Sequence, residues 1–152
     1  MTFERTTDAA LVETILTNPR CYRIMTGDDA PAREQFRVTD SERFIAVLCR
    51  MDDGMLAGVF VLFPTHPHVA EVHFCFLPSS WGRTEEGGKA FLAWVWRETS
   101  LNTLIGPVPG YNALALALAK RCGFREVRTE HNAVTKGGKM YDLVITKVDR
   151  PS

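Results

Sequence analysis

Two glycine-containing turns, each placed between two β-rich runs, constrain the fold of this chain more than any other feature. The first turn ends in Asp53-Gly54 and separates residues 44–49 from residues 56–63. The second contains Gly137-Gly138 and interrupts a β-rich stretch over residues 124–148. Glycine permits the positive φ values that join two antiparallel strands tightly. The sequence therefore predicts two β-hairpins, one in each half of the chain.

Further strands are predicted outside these hairpins. Residues 69–77 alternate so that Glu71 and His73 lie on the same face of a strand. Residues 103–108 have the composition of a short buried strand, and residues 2–5 begin the chain with another.

Helices are predicted between the strands. Apolar residues recur at helical spacing between residues 11 and 16, and again over 89–98 after a polar, glycine-containing loop at 79–88. Interleaved alanines favour a helix over residues 112–121, which Asn112 can cap. Residues 20–40 have no readable pattern beyond a short helix around residues 31–36.

The resulting order of elements is β-α-(α)-β-β-β-α-β-α-β-β. A chain of 152 residues suffices for one domain with a sizeable core. We therefore expect a single domain of the α/β (α+β) class over residues 1–152, built on one sheet.

Charge and cysteine usage limit the partners and the compartment. The 18 basic and 18 acidic side chains cancel, so no net field attracts nucleic acid. No apolar run reaches membrane-spanning length, and residues 1–8 are too polar for a signal peptide. The four cysteines are far apart in apolar segments, as expected for free thiols in a reducing compartment. We expect a cytoplasmic protein that binds neither nucleic acid nor a membrane.

Four segments carry a resemblance to a known family. They are residues 3–9, the Asp53-Gly54 hairpin with residues 56–59, residues 76–78 with Trp81-Gly82, and Val108, Asn112 and Ala115 with residues 121–124. The last is the most specific, because the succession of an asparagine, a short alanine-rich helix and Gly-Phe before a strand is uncommon in other families. Over nearly the whole chain these segments resemble the GNAT N-acetyltransferase family. The resemblance implies a mixed, mostly antiparallel central sheet with helices on both faces, and acetyl-CoA (coenzyme A) as co-substrate without a metal.

A closer resemblance is to small GNAT-like proteins encoded by bacteriophages and prophages. It is carried by Leu77-Pro78, Trp94-Val95-Trp96, Val108-Pro109 before Asn112, and Lys139 with Asp142. It implies a bacterial cytoplasm, or the host cytoplasm for a phage-encoded protein.

Two positions depart from the family pattern. Residues 81–88 lack the leading arginine of the usual R-G-x-G-x-G loop, and Ala119 stands where a tyrosine commonly precedes Gly-Phe.

The resemblance also assigns the residues that bind the co-substrate. The main chain of Phe76 and Leu77 would bond the pantetheine arm between two parted strands, since backbone groups exist whatever the side chain. The loop and the start of the next helix would hold the diphosphate on backbone amides and basic side chains. The residues assigned there are Trp81, Gly82, Arg83, Gly87, Gly88 and Lys89, with Asn112 as a further contact. Asn112 also serves as the cap of its helix, and the two roles are compatible.

Glu71 and His73 are the candidates for a general base. They lie two apart on one strand, roughly 7 Å by strand rise, and either can act on an incoming amine through a water. The alternatives are a solvated charge for Glu71 and a hydrogen-bonded core imidazole for His73. Tyr111 is the substitute candidate for the general acid that Ala119 does not provide.

Three functions are consistent with these residues. The first is an acetyl-CoA-dependent N-acetyltransferase that transfers an acyl group to a primary amine of a small molecule or protein by direct attack. The second is a catalytically degenerate GNAT-fold protein that binds coenzyme A, and the third is a structural or accessory phage protein. The H-x-H spacing of His66 and His68 near Glu71 and His73 lacks the further ligands that a metal site needs. Helical tryptophans usually pack in a core or a subunit interface, which leaves a homodimer open.

Overall fold

In a computed structural model of the chain, residues 1–39 and 41–152 are described. Within them the chain forms one mixed sheet of seven strands with four α-helices. The strands are β1 (Thr2–Thr6), β2 (Ile45–Arg50), β3 (Leu56–His66), β4 (Val69–Phe76), β5 (Thr103–Pro109), β6 (Arg125–Lys136) and β7 (Lys139–Asp149). The helices are α1 (Ala9–Leu16), α2 (Pro19–Met25), α3 (Thr84–Glu98) and α4 (Ala113–Arg121).

The strand order across the sheet is β1-β2-β3-β4-β5-β7-β6. Neighbouring strands are antiparallel except β4 and β5, which run parallel. The predicted fold class is therefore confirmed, and so are both hairpins, β2–β3 and β6–β7. Gly54, Gly137 and Gly138 have positive φ in the two turns, as the turn chemistry requires.

The two faces of the sheet are covered by different helices. Phe91 of α3 stacks on Phe60 of β3 with ring centroids 3.8 Å apart, in a core that also includes Leu118 of α4. Val12 and Ile15 of α1 bury the opposite face. Helices on both faces let one sheet bury apolar side chains on either side of every central strand.

The stretch with no readable pattern contains α2. Asn18-Pro19, which ends the preceding helix, also begins this one. The Asn18 side chain accepts hydrogen bonds from the amides of Arg20 and Cys21, and Pro19 occupies the first helical turn. The short helix expected around residues 31–36 is a 3₁₀ turn at Arg33–Gln35, whereas Asp40, at the end of this stretch, lies outside the described residues.

The prediction of a loop over residues 79–88 is wrong. Pro78–Arg83 forms a 3₁₀ helix and α3 begins directly after it at Thr84. The glycines that suggested a loop lie inside α3, where the helix packs closely on its neighbours. A Cβ at Gly87 would lie 2.7 Å from the Phe76 ring, and one at Gly88 would lie 2.6 Å from Cys122 Sγ. Tertiary packing here overrides the weak helix propensity of glycine.

One strand extends further than expected. The strand expected to stop before Pro64 continues as β3 to His66, with a register shift between Pro64 and His66.

Among the described residues, no helix is both long enough and apolar enough to cross a membrane.

Gly58 offers a test of the β3–β4 register. A Cβ at this position would lie 2.2 Å from the carbonyl oxygen of Cys75, a backbone atom that cannot move aside cheaply. We expect Gly58→Ala to lower the free energy of unfolding by about 3 kcal/mol and Tm by roughly 6 to 12 °C, measured by thermal and urea unfolding. Gly82→Ala is the matched control, because nothing lies within 4 Å of its Cβ position. Equal stability of the two variants would contradict the register.

Candidate active site

The parallel pairing of β4 with β5 is short. It joins Val69, Ala70 and Glu71 to Thr103, Leu104 and Ile105, and the two strands separate beyond these pairs. β5 nevertheless continues to Pro109, paired along its whole length with β7. The separation therefore opens a gap inside the sheet rather than ending it.

Two prolines explain where the pairing stops. The amide of Thr103 donates to the carbonyl of His68 at 3.2 Å, so the odd-numbered residues of β5 direct their N–H groups toward β4. The odd-numbered residues after Ile105 are Pro107 and Pro109, which have no N–H to donate. Beyond Ile105, β5 therefore has no N–H to donate to β4, and the strands part at this point.

A cavity of about 650 Å³ occupies the gap and extends between α2, α3 and α4. Most of its lining is apolar, including Ile24, Met25, Val72, Phe74, Leu104 and Val108. Its polar lining includes His73, Thr84, Asn112 and Arg121. An apolar cavity with a few polar groups in its walls suits an elongated ligand with a polar head.

The backbone of β4 supplies hydrogen-bonding groups along this cavity. The amide of Leu77 donates to the carbonyl of Ala57 in β3 at 2.8 Å, so odd-numbered residues here face β3 and even-numbered ones face the cleft. The carbonyl of Phe76 accepts from Trp81 Nε1 at 2.8 Å and from Cys21 Sγ at 3.3 Å. The assignment of Leu77 to the arm is therefore corrected. The groups that face the cleft are the C=O of Val72, the N–H and C=O of Phe74 and the N–H of Phe76.

The start of α3 lies at one end of the cavity. Trp81, Gly82 and Arg83 belong to the 3₁₀ turn that leads into it, and no side chain caps the helix. An uncapped helix start attracts anions through its free amides. Gly87 and Gly88, predicted as loop residues for the diphosphate, are instead helical packing positions.

The basic side chains beside this helix start are already paired with carboxylates. Arg83 makes a two-pronged contact with Glu86 at 2.8 and 2.7 Å. Glu85 contacts Lys89 Nζ at 2.8 Å and Arg121 Nε at 3.1 Å. The cavity wall at the start of α3 and the end of α4, called the mouth of the cavity below, therefore carries both signs of charge.

Glu71 and His73 form a pair on the face of the sheet that α1 and α2 cover. His73 Nε2 lies 2.6 Å from Glu71 Oε1, and the imidazole packs edge-on against Phe63. The His73 side chain is 47% exposed and lines the cavity, so it is not a core imidazole. A half-exposed imidazole held by a carboxylate can exchange protons with a ligand in the cavity.

Tyr111 and Asn112 have structural partners. The Tyr111 hydroxyl donates to the carbonyl of Met25 at 3.2 Å, its ring does not form part of the cavity lining, and burial raises its pKa. The structure therefore does not bring Tyr111 to the cleft as a general acid. Asn112 Oδ1 accepts from the amide of Ala115 at 3.1 Å, which confirms the predicted cap, and Asn112 also lines the cavity.

Three cysteines line the cavity, and sequence reasoning did not place them there. Burial raises the pKa of Cys21, Cys75 and Cys122, so all three thiols are protonated at neutral pH. A neutral thiol is a poor nucleophile, so these side chains act as apolar walls. Among residues 1–39 and 41–152, no group of three or more His, Cys, Asp or Glu side chains is arranged to hold a metal ion.

The comparison with known families identifies the class of this domain. A family model described as "Acetyltransferase (GNAT) domain" matches residues 2–125, which is most of the chain. The chain belongs to the GNAT acetyltransferase family. Acetyltransferases of this family use acetyl-CoA as the acyl donor. No match was found among curated protein sequences.

Solved structures share the fold at low sequence identity. Ribosomal-protein-alanine N-acetyltransferase from Brucella melitensis is 19% identical with a TM-score of 0.74, over 99% of this chain and 100% of that one. A putative phosphinothricin N-acetyltransferase is 21% identical with a TM-score of 0.73, over 99% of both chains. Spermidine N-acetyltransferase from Vibrio cholerae, solved with CoA and spermine, is 15% identical with a TM-score of 0.76, over 97% of this chain and 94% of that one.

Pro107→Ala tests the account of the cleft. If the parallel register of β4 and β5 continued past Ile105, the new amide at position 107 would donate to the carbonyl of Val72. We expect it to exchange with solvent about 100-fold more slowly than an unstructured amide, measured by hydrogen-exchange NMR. The amide of Ile105 is the internal reference for a formed rung. Rapid exchange at position 107 would mean that side-chain packing, and not the missing donor, holds the strands apart.

Proposed function

We propose that this protein is an acetyl-CoA-dependent N-acetyltransferase that transfers the acyl group to a primary amine by direct attack. The observation that carries the proposal is the gap between β4 and β5, with its apolar cavity and the cleft-facing backbone of Phe74 and Phe76. A pantetheine arm is an elongated chain with amide groups, and backbone N–H and C=O groups along an apolar wall suit it. Acetyl-CoA would supply the activated thioester.

The residues of the cleft divide the work of acyl transfer. Phe74 and Phe76 would orient the arm through the main chain, and Trp81 keeps the end of β4 in place by its bond to the Phe76 carbonyl. Burial of the cavity walls excludes water from the reacting groups. Positioning of this kind contributes a large share of the rate in transfers that need no covalent intermediate.

His73 is proposed as the general base that accepts the proton of the attacking amine, directly or through one water. Glu71, whose Oε1 lies 2.6 Å from His73 Nε2, would fix the orientation of the ring. The protonated cavity thiols favour direct attack over a cysteine-bound acyl intermediate. The departing thiolate is a good leaving group, and water can protonate it.

A non-catalytic coenzyme A-binding protein is the second candidate. Ala119 lines the cavity where the family commonly has a tyrosine, and carboxylates pair with the basic side chains at the start of α3. A protein of this kind would bind the ligand without turnover.

The four free thiols support the cytoplasmic location predicted from the sequence.

Binding and turnover of acetyl-CoA test the function. Ligand at about one hundred times its Kd should stabilise the domain by roughly 2.7 kcal/mol, seen as a rise in Tm. Thiol release across a panel of primary amines then reports transfer. Binding without thiol release would favour the second candidate. No rise in Tm at millimolar acetyl-CoA would exclude both.

His73→Ala tests the base. We expect kcat to fall about 100-fold or more while the Kd of acetyl-CoA is unchanged, because the imidazole acts on the amine. Glu71→Gln should lower kcat less, since it leaves the imidazole in place. His66→Ala is the matched control, because this exposed imidazole lies outside the cavity lining. Full activity of both the His73 and Glu71 variants would remove the assignment.

A further inference from the structure

Glu85 joins two helices at the mouth of the cavity. It lies in the first turn of α3, and its two carboxylate oxygens point to different partners. One accepts from Lys89 on the next turn of the same helix, and the other faces Arg121 near the end of α4. The Glu85 carbonyl also accepts from Cys122 Sγ at 3.9 Å. Glu85 therefore contacts residues of both the start of α3 and the end of α4.

These contacts lie where a nucleotide diphosphate would have to sit. Thr84, Gly88 and Arg121 line the cavity; Thr84 directly precedes Glu85, and Gly88 follows Glu85 on the next turn of α3. An anion drawn to the amides of the α3 start would meet the Glu85 carboxylate, and like charges repel. It would also find Lys89 and Arg121 sharing the single Glu85 carboxylate, so it would compete with that carboxylate for the same two cations.

The arm-binding part of the cavity carries no such conflict. Its walls are apolar, and its hydrogen-bonding groups belong to the backbone of Phe74 and Phe76. The contacts proposed for the arm therefore do not involve the charges at the mouth. The two parts of the ligand meet chemically different surfaces.

We propose that Glu85 is a specificity-determining residue that weakens recognition of the nucleotide diphosphate, so that the pantetheine arm supplies most of the affinity for the acyl donor. This inference rests on the proposed function. It follows that the protein discriminates little between coenzyme A and pantetheine, which lacks the diphosphate. The same carboxylate links α3 to α4 through its contact with Arg121.

Isothermal titration of the full chain with coenzyme A and with pantetheine tests the inference. We expect Glu85→Gln to lower the Kd for coenzyme A roughly tenfold at low salt, because one opposing charge is removed and two cations are released. The Kd for pantetheine should stay the same. In the double variant Glu85→Gln/Arg121→Gln, the gain for coenzyme A should shrink, since one released cation is gone.

Glu126→Gln is the matched control. Glu126 pairs with Lys120 of α4 at 3.0 Å, the two side chains are about as exposed as those of Glu85 and Arg121, and the pair lies outside the cavity lining. Its Kd for both ligands should equal that of the unchanged protein. Thermal unfolding of every variant checks that the fold is kept.

The outcomes separate the inference from the function on which it rests. If the unchanged protein and Glu85→Gln bind coenzyme A equally, the inference is overturned and the acetyltransferase proposal stands. If Glu85→Gln gains as much for pantetheine as for coenzyme A, the residue controls the opening of the cleft, and the inference is again overturned. If no form binds either ligand at millimolar concentration, the proposed function fails with it.

Discussion

The end of the β4–β5 ladder at Ile105 is the constraint on which the rest of the structure depends. Pro107 and Pro109 occupy the positions whose N–H groups would face β4, and a proline has none to give. β5 loses nothing on its other side, because there its even-numbered residues bond to β7. The sheet can therefore open in its middle while both neighbouring ladders stay intact. The cavity and the cleft-facing backbone of β4 both follow from this opening.

Polar groups are distributed unevenly around the opening. Most of the cavity lining is apolar and its thiols are neutral, so a ligand bound there would be recognised by shape and by the main chain. The Glu71–His73 pair, proposed above as the proton acceptor, lies on the α1–α2 face, and the ion pairs of α3 and α4 occupy the mouth. Such a division suits a reaction in which binding, proton transfer and nucleotide recognition are separate tasks.

Much of the fold and part of the site could be predicted from local patterns. Turn glycines placed both hairpins, and alternation put Glu71 and His73 on one face, where they are now seen in contact. The beginning of α3 could not be predicted, because Gly87 and Gly88 have the propensity of a loop and only close packing on Phe76 and Cys122 makes them helical. The choice of Leu77 failed for a related reason, since the direction of a backbone group depends on strand register.

The sequence by itself determined the class of the fold, the Asn112 cap of α4 and the two side chains proposed as the base, because these follow from periodicity, turn chemistry and side-chain type. It also contained Pro107 and Pro109, whose meaning depends on the partner strand. Only the tertiary structure decided which backbone groups face the cleft, that Cys21, Cys75 and Cys122 form its walls, and that Glu85 pairs with Arg121. Those facts join residues far apart in the chain, and long-range register and packing are set by the whole assembled sheet.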